Sequence, residues 1–83
     1  MLTETEKTTI VRQLKHRSPY SCHELMTAVL YVERRLENDL RFRKVGSETY
    51  LGIFRIALLI VDRTGKGLYD AIDMIVDVML KGT

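Results

Sequence analysis

Eighty-three residues carry 13 lysines and arginines against 11 aspartates and glutamates, for a formal net charge of +2 with 46% hydrophobic residues. A chain of this length makes one domain, spanning 1–83, and buries only about 60–65% of its unfolded surface, so its own core leaves a thin margin of stability. The lone Cys22 excludes an internal disulfide and no Cys/His spacing builds a structural zinc site. The charge is too mild to serve as an electrostatic footprint for nucleic acid. The most apolar stretch, Ile53 to Val61, is interrupted by Arg55 and is too short for a membrane span. The opening Met1 to Lys7 carries acids and no apolar core of a secretory signal, and a single thiol suits a reducing compartment, so the expected location is cytoplasmic.

The first element is marked by Thr3 with Glu6, the spacing of a capping box that satisfies orphan backbone donors at a helix start, and is closed by Pro19. This predicts a helix over 3–17. Its apolar pattern, Ile10, Val11 and Leu14, is the weakest in the chain, which makes it the expected mobile element, ordered when a partner docks. His16, Cys22 and His23 gather at the next junction. They lack a third or fourth ligand for a metal and an orienting group for a Cys/His nucleophile, so a buried thiol and a surface imidazole are the expectation.

Ser21 with Glu24 repeats the capping box and opens a second helix, predicted over 21–44. Leu25, Val29, Val32, Leu36 and Leu40 recur at three- and four-residue steps and form its buried stripe. Arg34, Arg35, Arg41, Arg43 and Lys44 crowd its far end, with acids four residues away: Arg35 before Asp39, Glu37 before Arg41, Asp39 before Arg43. Such spacing favours pairing along the helix itself. The Ser18-Pro19-Tyr20 turn resembles the opening of a helix-turn-helix, yet no turn residue interrupts Met26 through Leu40 to free a recognition helix.

Gly46-Ser47 ends that segment, and Ser47 offers the cap of a third helix over 47–63. At 100° per residue, Glu48, Arg55 and Asp62 fall on one narrow polar seam and nearly all the remaining circumference is apolar. Thr64-Gly65-Lys66-Gly67 is a turn, lacking the rest of a phosphate-binding loop. A fourth helix over 67–81 carries Asp70, Asp73 and Asp77 on one stripe, a solvated face that cannot wrap a calcium ion, and is apolar around the rest.

The fold class is therefore all-α, a bundle of about four helices. Two helices greasy on most sides demand more cover than two narrow-striped helices supply, and large exposed apolar patches mark interfaces. The expectation is a homodimer with helices three and four in a shared core, using Leu51, Leu58, Ile72, Val76, Met79 and Leu80. Met26, Leu30, Tyr31, Arg34, Asn38, Arg41 and Phe42 mix Met, aromatic and Arg side chains in the manner of interface centres and form the expected partner-binding surface. No nucleophile, metal or cofactor set is present, so the chain reads as a non-enzymatic regulator or adaptor that binds a larger protein, such as a transcription factor. The alternative is a dimeric DNA-binding regulator that lays Arg34, Asn38 and Arg41 along one helix face.

Overall fold

The computed structural model describes residues 2–82 and shows four helices, α1 (Glu4–Lys15), α2 (Cys22–Leu36), α3 (Ser47–Thr64) and α4 (Leu68–Lys81), with no strand among the described residues. Both capping boxes form as the spacing predicts. The Thr3 hydroxyl accepts from the Glu6 amide at 3.1 Å while Glu6 Oε1 accepts from the Thr3 amide at 2.9 Å. Ser21 and Glu24 repeat the exchange at 3.1 and 2.9 Å. These bonds hold the Glu24 carboxyl below the usual carboxylate range, since each backbone and hydroxyl donor stabilises the charged form. α3 departs from the expectation: Gly46, not Ser47, is its N-cap, and no side chain caps it. Gly65 ends α3 at φ 74°, a left-handed conformation that favours glycine.

The largest correction concerns α2, which stops at Leu36 rather than running to residue 44. Asp39 explains the stop. Its Oδ1 accepts from the Arg41 amide at 2.8 Å and its carbonyl takes the amides of Phe42 and Arg43, so the chain turns locally instead of continuing the ladder. Leu40, assigned to the buried stripe, is consequently 79% exposed. Of the arginines foreseen to pair along one helix, Arg35 instead reaches Asp73 and Asp77 of α4 and Arg41 pairs with Asp39 two residues before it.

The four helices form two hairpins. α1 packs on α2 and α3 on α4, with α1 also against α3 and α2 against α4. The result is a flat slab of 32 × 29 × 17 Å, two helix layers thick. Phe54 is wholly enclosed at its centre with Ile10, Leu25, Val29, Val32, Leu36, Ile72 and Val76. α1 is not the loose element expected: Ile10, Val11 and Leu14 are buried, and Lys7 Nζ meets Glu33 Oε1 of α2 at 3.3 Å in a pair almost removed from solvent. Glu33 Oε2 also accepts from the Leu2 amide at 3.0 Å, which ties the leading segment down. No helix among the described residues is long and apolar enough to cross a membrane.

Candidate functional site

The hairpin of α1 and α2 leaves a shallow groove of about 450 Å³ on its outer side, lined by Thr8, Val11, Arg12, Lys15 and His16 of the first helix and its end, and by Cys22, His23 and Met26 of the second. Helix geometry builds it. On α1, Thr8, Arg12 and Lys15 recur at three- and four-residue steps beside the buried Val11, and on α2 Met26 stands one turn beyond Cys22. Val11 and Met26 supply an apolar floor. Arg12, Lys15, His16 and His23 rim it with cationic or protonatable groups, and no carboxylate is among the lining residues. The Lys15 ammonium also donates to the Tyr20 carbonyl at 3.0 Å, bracing the turn that joins the two helices. Cys22 is exposed in this groove, a correction to the buried thiol expected from the sequence. It sits at the first position of α2, where the chain has only just entered the helix and no neighbour covers it.

The residues expected to bind a partner are distributed over several environments. Met26 is half-buried in the groove and Leu30, one turn further along α2, is exposed. Tyr31 instead faces α4: its hydroxyl donates to Asp73 Oδ1 at 2.6 Å and its ring meets Tyr69 edge-on at 5.1 Å. Accepting that bond, Asp73 raises the Tyr31 pKa. Arg35 joins the same seam, donating to Asp73 at 2.7 Å and Asp77 at 2.6 Å, and the Asp77 bond foremost holds its guanidinium in the charged form. Two of the three aspartates read as a solvated stripe are thus fasteners between α2 and α4.

Arg34 and Asn38 are exposed, but Arg41 is turned away from them. Its guanidinium pairs with Asp39 at 2.8 Å, lies over the Phe42 ring at 5.1 Å, and donates to the Leu80 and Gly82 carbonyls at 2.8 and 3.3 Å, where it caps the end of α4. Phe42 is partly buried against the core. Since α2 ends before Asn38, the single helix face of Arg34, Asn38 and Arg41 that would follow a DNA groove is not formed.

The residues assigned to a dimer core also divide. Ile72 and Val76 are completely buried within the single chain and are closed to any partner, because α4 packs against both α3 and α2. Leu51 and Leu58 are partly buried, lining a cleft with Gln13, Leu14, His16 and Arg17 of the α1 end. Met79 and Leu80 are partly buried at the end of α4. Besides Leu30, Leu40 and Tyr69, the apolar side chains left open are Ile56, 52% exposed, Leu59 48%, Met74 47% and Val78 71%, on the outer side of the α3/α4 hairpin.

Against family models, curated proteins and solved structures the chain finds no match.

Proposed function

We propose that the chain is a non-enzymatic, homodimeric adaptor that takes up an apolar, acid-flanked helical segment of another protein in the groove between α1 and α2. One observation carries this reading: an apolar floor of Val11 and Met26 whose charged rim, Arg12, Lys15, His16 and His23, is of one potential sign. Apolar floors supply affinity, while rim charges steer the encounter and choose the partner. Segments that alternate acids with large apolar side chains are common in transcriptional regulators, which fits a role in modulating such a protein. Self-association is supported by the open row on α3 and α4, where Ile56, Leu59, Met74 and Val78 each keep about half or more of their surface exposed.

The groove is tested with two fluorescein-labelled amphipathic peptides that share one leucine face and differ only in glutamate or lysine flanks. Anisotropy should show saturable binding of the glutamate peptide, weakened by added salt and abolished by Met26→Asp, with no binding of the lysine peptide. Equal affinity for both peptides, or none for either, would rule the groove out. Light scattering at micromolar concentration tests the dimer independently.

A further inference from the structure

The outward face of α3 has an arrangement that the slab itself does not use. At 100° per residue Glu48, Gly52, Ile56, Leu59 and Arg63 fall on one side of the helix, opposite the buried Tyr50, Phe54 and Ala57. Ile56 and Leu59 are half-exposed, and Met74 and Val78 of α4 continue the apolar surface alongside. Glu48 and Arg63 are exposed at its two ends, and among the described residues neither forms an ion pair. Gly52 lies in the middle of a helix, where glycine is a poor helix former, and a Cβ built on it meets nothing within 4 Å. No contact inside the chain requires glycine there.

We infer that α3 is the self-association surface, crossing α3 of a second copy antiparallel about a two-fold axis between Arg55 and Ile56, with Leu59 of each copy seated over Gly52 of the other and Glu48 facing Arg63. This rests on the dimer reading above and deepens it by fixing the occupant and the register. The charges select that geometry. Gly52 and Leu59 are equally distant from such an axis, as are Glu48 and Arg63, so one antiparallel placement puts a side chain over bare backbone and opposite charges together twice. A parallel crossing would set Glu48 against Glu48 and Arg63 against Arg63, which opposes association. The apolar row between the charges then becomes the dry centre, and Met74 and Val78 its flank. This surface lies on the α3/α4 layer, away from the α1/α2 groove, so both can be occupied together.

The test uses Glu48→Arg, Arg63→Glu and Gly52→Leu in the full chain, with light scattering for mass and circular dichroism for fold. The wild type should be a dimer. Each charge reversal alone places two like-charge pairs at the interface and should weaken dimerisation at least tenfold. An equimolar mixture of the two should recover wild-type mass, because one copy then carries only arginine and the other only glutamate at the paired positions. Gly52→Leu should be monomeric with full helicity, since leucine is the better helix former and open space receives it, and its Tm should no longer depend on protein concentration. Dimerisation of Gly52→Leu, or single reversals that leave the dimer intact, would overturn this register and leave the dimer itself standing. A wild-type chain that stays monomeric and folded would overturn both.

Discussion

The two hairpins are held by different physics. α1 and α2 each begin with a complete capping box and are clamped together by the buried Lys7–Glu33 pair, so their ends and their pairing are written into polar side chains. α3 and α4 begin at Gly46 and Gly67 without any side-chain cap and pair through apolar residues, among which Phe54, Ala57, Ala71, Ile72 and Val76 are fully buried. Between the layers, Arg35, Tyr31, Asp73 and Asp77 fasten α2 to α4. The polar layer covers its apolar stripe, while the apolar layer leaves a row of side chains facing out. A specified surface and an unfinished one sit on opposite sides of a slab 17 Å thick.

Truncating the apolar layer should have the largest effect. Phe54→Ala removes the largest fully enclosed side chain and should cost about 4 kcal/mol in urea unfolding, most of what a domain this small possesses. A cost near 1 kcal/mol would mean that the slab collapses around the gap and that its centre is not tightly packed. The polar layer is probed next by Glu33→Ala, which leaves Lys7 in a nearly dry site with only the exposed Glu4 carboxylate, at 3.6 Å, as partner and leaves the Leu2 amide without its acceptor. A loss of about 3 kcal/mol is expected, with part of it recovered in Lys7→Ala/Glu33→Ala, since the double variant buries no lone charge. Failure of the second substitution to recover anything would show that packing, not charge, joins α1 to α2.

The smallest effect concerns pH. Tyr50 of α3 is pushed up to about 12, chiefly by burial, with the carboxylates of Glu33 and Glu37 adding to it. In the unfolded chain a tyrosine ionises near 10, so between about pH 10 and 12 the unfolded state holds fewer protons and stability falls as pH rises. About 2 kcal/mol should be lost over that window, and none below it. Tyr50→Phe should flatten this alkaline limb relative to the parent protein. An unchanged slope would place the alkaline sensitivity on other groups.

Chain-order punctuation made the four helices legible. Thr3/Glu6 and Ser21/Glu24 mark starts through bonds between residues three apart, a local chemistry that needs no tertiary contact. The end of α2 was misread because Asp39 can either pair along a helix or bond the backbone two residues on, and both options suit its sequence neighbourhood. The groove was half visible. Met26 was singled out on α2 and His16, Cys22 and His23 gathered at the junction, but Val11, Arg12 and Lys15 belong to the groove only once α1 packs beside α2. Glu48 was legible on a polar seam with Arg55 and Asp62, whereas the outward face it shares with Arg63 emerged only when Tyr50 and Phe54 were found on the other side.

The sequence by itself determined that this protein is all-helical, where three of its helices end to within a residue or two, and that its last two helices are too apolar to be covered easily, because caps and 3.6-residue periodicity act over a single turn. The tertiary structure alone decided which apolar residues are sealed and which face outward, that Arg41 caps α4, and that Arg35 grips Asp73 and Asp77. Those outcomes depend on how helices approach one another between residues 38 or more positions apart, a distance over which local spacing carries no information.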